Sequence, residues 1–234
     1  DVERHVEQPI VNLSLVTNRV FALANISFML CMMALFAPGF LLPFYFEELR
    51  GFSTIQTGLM LTPLPLMLAL TAPLSGTLAD RFGSRWLSPI GLAIACLGLV
   101  LLSQINAQSS TFDIIWRLAV TGFGQGLFQS PNTRTLMSAA PLNAQGEASG
   151  LLATGRVIGQ SMSVALTGTV FAALGGAAAG TLLASQQLHT THLVGLQNTF
   201  VGSFHAALLV CAAFAAIGIF TALARGDNEV VKAR

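Results

Sequence analysis

Apolar residues fill six long stretches of the chain, and short polar or charged segments separate them. A helix needs about 20 apolar residues to cross roughly 30 Å of hydrocarbon, so the pattern predicts six transmembrane helices. They are expected over 20–46, 57–78, 86–105, 114–130, 148–174 and 203–224. The fold class that follows is an all-α membrane protein, with a linker over 1–19, a bundle over 20–224 and a tail over 225–234.

Composition strengthens that reading. Hydrophobic residues make up 53% of the chain and charged residues 9%, and the mean hydropathy is +0.71. Soluble domains carry about a quarter of their residues as charges. A net charge of +1, without a Lys/Arg-rich block, excludes a nucleic-acid partner. Cys31, Cys96 and Cys211 fall in separate apolar runs with no paired or metal-ligand spacing, which predicts packed or lipid-facing thiols. The chain opens at Asp1 and its first residues are polar, so no signal peptide is visible and a fragment or a processed numbering is expected.

Arginine and lysine set the expected orientation, because cytoplasmic loops carry an excess of both. With the N-terminus inside, Arg4, Arg19, Arg81, Arg85, Arg134, Arg156, Arg225, Lys232 and Arg234 are cytoplasmic, against only Arg50 and Arg117 outside. Six crossings return the C-terminus to the cytoplasm. The outer loop over 175–202 then carries no formal charge.

The spans differ in character. Pro38, Gly39 and Pro43 in the first, and Pro63, Pro65 and Pro73 in the second, predict bends. Small residues recur every four positions at Gly122, Gly126 and Ser130, and again at Gly155, Gly159, Ser163 and Thr167. Such stripes let helix backbones approach closely, as packing faces or sliding interfaces. No Asp or Glu lies centrally in any span. Asp113 and Arg117, at i and i+4, predict an interfacial ion pair, and Arg156 is expected to snorkel.

Between the second and third spans stands Gly76-Thr77-Leu78-Ala79-Asp80-Arg81-Phe82-Gly83-Ser84-Arg85. Asp80 and Arg81 are expected in a short turn, Gly83 at positive φ and Arg85 at the start of the next helix. The pattern G-x-L-A-D-R-x-G-x-R resembles the loop signature of the major facilitator superfamily, with Ser84 where that family often has a basic residue. The resemblance continues through the linker with Pro9, Asn18, Arg19 and Phe21, the run Gly122-Phe123-Gly124-Gln125-Gly126, and the stretch holding Gly150, Arg156, Gly159 and Gly168. Together these resemble the C-terminal six-helix half of a 14-helix drug:proton antiporter.

The resemblance implies alternating access between two halves in a cell membrane, inner or plasma. It implies a conformational latch at Gly76, Asp80, Arg81, Gly83 and Arg85, completed by Arg134 and Glu147. It also implies a cavity lined by the first, second, fourth and fifth spans. There Phe28, Met32, Phe36, Phe40 and Phe44 recur along the first span, and Gln125 and Gln129 supply neutral polar groups on the fourth. Such a wall suits amphipathic or lipophilic small molecules, whereas ordinary packing accounts for the same stripe. Proton coupling would belong to an N-terminal half outside these residues.

Other chemistries lack their motifs. There is no phosphate-binding G-x-x-x-x-G-K-[ST], no H-E-x-x-H and no G-x-S-x-G, so no enzyme, cofactor or metal is expected. His189 and His192 in the outer loop predict solvated side chains, and His5 and His205 are isolated. The rival readings are a six-helix scaffold and a half-transporter active only as a dimer.

Overall fold

The computed structural model describes residues 17–185 and 190–225, and they are helical with no strand among them. The linker over 1–16, the tail over 226–234, His5 and His189 lie outside the described residues, as does the side chain of His192.

The first rod is built from three pieces. Helix α1, Arg19–Leu35, starts at Asn18, whose side chain accepts from the Val20 and Phe21 amides. The bend expected near Pro38 appears as a break at Phe36, after which α2, Ala37–Phe44, has proline in its first turn. A proline has no N–H to give and is tolerated there. A wide π turn over Tyr45–Leu49 ends the rod.

Ser53 and Gln56 form a reciprocal capping box that opens α3, Thr54–Leu61. After Thr62 the chain continues as α4, Pro63–Phe82, and after Gly83 as α5, Ser84–Leu102. The connection between α4 and α5 differs from the expected turn. Asp80 and Arg81 belong to the last helical turn of α4, and Gly83 alone reverses the chain, at φ 81°. A Cβ makes that backbone region costly, and glycine has none, which is why this one residue can make the connection.

The next helices are longer than the apolar pattern predicts. Helix α6 spans Thr111–Ala139, well past the expected end at 130, and α7 spans Gln145–Ala173. The expected outer loop over 175–202 is instead largely helical. Gly175, in the left-handed region, turns the chain into α8, Gly176–Ala184, bent 76° from α7, and α9 already begins at Thr190 and runs to Ala224. Among the described residues, four helical stretches are long and apolar enough to cross a membrane, and the bent pair α7–α8 makes five. The 29-residue α6 has the length but is more polar, with Gln125, Gln129, Asn132 and Arg134 along it.

A shared core of Phe28, Tyr45, Phe46, Leu92, Leu99, Phe128, Phe200 and Phe204 joins α1, the π turn, α5, α6 and α9. The small-residue stripes lie at helix crossings. Gly122 sits against the Leu64 carbonyl of α4, and a Cβ at Gly126 would fall 2.8 Å from Thr71 Cβ. On α7, a Cβ at Gly159 would fall 2.7 Å from the Met29 carbonyl, and one at Gly155 3.1 Å from Asn25 Oδ1. Backbones this close leave no room for larger side chains.

Candidate functional site

The end of the bundle that holds Gly83 concentrates the polar contacts between helices. Asp80, in the last turn of α4, pairs with Arg134 of α6, and both side chains are more than half exposed. An exposed pair of this kind contributes about 1 kcal/mol or less, weak enough to break and re-form. Next to it Ser84, at the start of α5, accepts a 2.9 Å hydrogen bond from the Thr135 hydroxyl of α6. The hydroxyl that stands where the resembled pattern has a basic residue therefore binds the same helix as Asp80 does. A Cβ added at Gly76 would meet Ser130 Oγ of α6 at 3.5 Å, an ordinary contact distance.

The other residues expected in the latch are arranged differently. Arg81 is exposed, Arg85 lies 5.6 Å over the ring of its neighbour Trp86, and Glu147 stands in the first turn of α7. Asp80 and Arg134 are two of the expected latch residues that an ion pair joins.

A buried tie missed by the sequence reading lies beside it. Asn132 of α6 donates from Nδ2 to the Ala24 carbonyl of α1 at 3.1 Å, and accepts at Oδ1 from Arg225 Nη1 at 2.8 Å. Asn132 is fully buried and Arg225 is 4% exposed, and burial pulls the Arg225 pKa below its ordinary value. The guanidinium still carries its charge at any working pH. In the sequence its signal is a lone Asn two residues before Arg134, just beyond the apolar run that ends at 130. Asn18 adds a fourth link, from Nδ2 to the Ala139 carbonyl.

A cavity of about 410 Å³ opens between the first rod, α3, α4 and α6. Phe36, Leu61, Pro65, Leu68 and Gln125 line it. Gln125 Oε1 is buried without a hydrogen-bond partner, so it presents an acceptor to whatever occupies the apolar space. The expected aromatic stripe does not line the cavity as a whole. Phe28 and Met32 are buried in the core, because their face of α1 is covered by neighbouring helices. Phe40 packs edge-on against Phe44 at 5.4 Å, and Gln129 is half-buried outside the lining. Phe36 and Gln125 are the two expected residues that the cavity brings together.

The opposite end is held by a second polar group. Arg50 Nη1 donates to the Ser109 carbonyl at 2.6 Å and the Ala107 carbonyl at 3.2 Å, and the Tyr45 hydroxyl donates to the Asn106 carbonyl at 2.6 Å. Asp113 and Arg117 form the expected i, i+4 pair at 2.8 Å, and Arg117 also donates to the Leu101 carbonyl. These contacts tie the first rod, α5 and α6 together. Cys31 and Cys211 are buried and Cys96 is half-buried, all three free thiols.

Comparison with known proteins adds independent findings. The family model described as Major Facilitator Superfamily matches residues 2–164. The chain is 32% identical over 71% of its length to the riboflavin transporter RibZ of Clostridioides difficile, covering 36% of that protein. It is 31% identical over 74% of its length to the multidrug resistance protein Stp of Mycobacterium tuberculosis, covering 32% of it. Among solved structures, a bacterial homologue of the human lysosomal transporter Spinster, inward-facing and unoccupied, superposes with a TM-score of 0.62 at 17% identity. That likeness covers 94% of this chain and 52% of the other, and it concerns the fold. The chain thus spans about a third of the length of the curated relatives it matches.

Proposed function

Because the chain belongs to the major facilitator superfamily, a family of membrane-integral transporters, we propose that it forms the C-terminal six-helix half of an exporter of lipophilic small molecules. The half works by alternating access against a second half, in a cell membrane with both of its own ends cytoplasmic. The observation that carries the reading is the cavity between the first rod, α3, α4 and α6, apolar apart from Gln125 and Thr62 and walled by Phe36. A multidrug resistance protein among the relatives supports the substrate class, and a riboflavin transporter extends it to planar aromatic molecules with polar edges.

The exposed Asp80–Arg134 pair acts as the latch. It holds α4 to α6 in one state and opens in the other, at a cost within reach of substrate binding. Proton coupling, where it occurs, uses carboxylates of the second half.

The test is efflux of a lipophilic dye from cells expressing the full-length transporter. Phe36→Ala and Gln125→Ala should each weaken dye binding several-fold without lowering the amount of protein in the membrane. Asp80→Asn should slow efflux, and the exchange Asp80→Arg with Arg134→Asp should restore part of it. Wild-type efflux in all of these variants would overturn the reading.

A further inference from the structure

Arg156 lies about 16 Å along α7 from its first residue, at 1.5 Å per residue, within the stretch apolar enough to belong to a membrane span. Its guanidinium sits 5.6 Å over the ring of Phe28 on α1. A ring face is not a lone-pair acceptor in the plane of the N–H fork, and no hydrogen bond or ion pair of Arg156 is made among the described residues. Arg117, near the start of α6, is treated quite differently: it has Asp113, the Leu101 carbonyl and the Trp116 ring.

A second unpartnered polar group stands beside Arg156. Asn25 precedes Phe28 by one helical turn on α1, and its amide rests against Gly155, the residue before Arg156. The amide's buried end, Oδ1, has no hydrogen-bond partner. Its Nδ2 end makes no hydrogen bond within the described residues. Asn25, Phe28 and Arg156 therefore form one cluster across the α1–α7 crossing: a cation, an amide donor and an aromatic face. An ionised side chain at membrane depth is costly unless it is paired or used, and here no carboxylate of the described chain pairs with it.

We propose that Arg156, with Asn25 and Phe28, forms a subsite for the acidic group of a transported molecule, a carboxylate or a phosphate monoester attached to an apolar body. The guanidinium supplies charge and paired N–H donors, Asn25 a further donor, and Phe28 holds the guanidinium plane in place. This rests on the transporter reading above and extends its substrate class from neutral lipophiles to amphipathic acids.

The experiment compares pyrenebutyrate with its uncharged analogue pyrenebutanol on the full-length transporter in nanodiscs of phosphatidylcholine. Wild-type protein should bind the acid more tightly than the alcohol. Arg156→Gln should weaken the acid about tenfold and leave the alcohol within twofold, Arg156→Lys should recover part of the loss, and Asn25→Ala should weaken the acid to a lesser degree. Unchanged alcohol binding serves as the control for folding. Equal affinity for acid and alcohol in wild type, or equal losses for both in Arg156→Gln, overturns the subsite while leaving the cavity reading intact. Absence of binding by both probes overturns both. A parallel arm counts phosphatidylglycerol retained by native mass spectrometry from mixed-lipid nanodiscs. If Arg156→Gln loses that lipid and keeps its acid affinity, the cation serves a headgroup and the proposal falls.

Discussion

Asn132 donates to the Ala24 carbonyl while accepting from the Arg225 guanidinium, so one amide satisfies a backbone group of α1 and a buried charge after α9. Replacing it with alanine leaves the buried Arg225 guanidinium without this acceptor, while the Ala24 carbonyl, inside α1, keeps its helical bond. Leaving a buried cation without its acceptor costs about 2–3 kcal/mol, more than losing an exposed pair. Asn132→Ala should therefore lower the thermal midpoint in detergent by several degrees, while Arg134→Ala, which breaks only the exposed pair with Asp80, should leave it nearly unchanged. Gly83 offers a second test at this scale. At φ 81° and ψ 144° it holds a conformation open essentially to glycine, so Gly83→Ala should destabilise by about 1–2 kcal/mol. Gly146→Ala, where an added Cβ meets nothing within 4 Å, should be neutral in the same melting experiment.

At the scale of elements, the apolar runs made the rods legible, because a membrane crossing leaves little freedom in composition. Their ends were less so. Helix α6 outruns its apolar stretch because Asn132, Arg134 and Thr135 find partners on α1, α4, α5 and after α9, and no run of hydrophobicity records bonds made to other helices. Helix α8 was hidden for the opposite reason: a Gly/Ala-rich segment between two spans reads as a loop until Ala179 and Gly180 are seen buried by packing. The motif located the charged turn well but placed Asp80 outside its helix, since one glycine at positive φ does the work expected of several residues. The aromatic stripe misled in part, because periodicity shows a face without showing what covers it. The glycine stripes did lie at crossings, and they allow a graded prediction. Gly159→Val should push α7 from α1 and lower stability by about 1–3 kcal/mol, whereas Gly150→Ala, with open space around it, should have no measurable cost in the same denaturation assay.

At the scale of the whole molecule, α4 differs from its neighbours in how little of it is covered. Leu66, Leu70 and Leu74 stand 53%, 56% and 60% exposed along one side of it, and the apolar window of the stretch Thr54–Arg81 to which it belongs is only 11% buried. An apolar face of that size is not left to water. In membranes containing the full-length protein, a cysteine at Leu70 should resist a water-soluble maleimide, and one at Leu142, 88% exposed in the polar connection before α7, should react quickly. Equal labelling of the two would contradict a membrane-embedded α4.

The tie from Ala24 through Asn132 to Arg225 also has a meaning in time. The three partners lie near the beginning, the middle and the end of the described chain, so they leave the ribosome in that order. Asn132 can meet α1 early, but its Oδ1 has this partner only once α9 and Arg225 have followed. The tie between α1, α6 and the residue after α9 is therefore among the late contacts of the described bundle to close, although the first two of its three parts are made early.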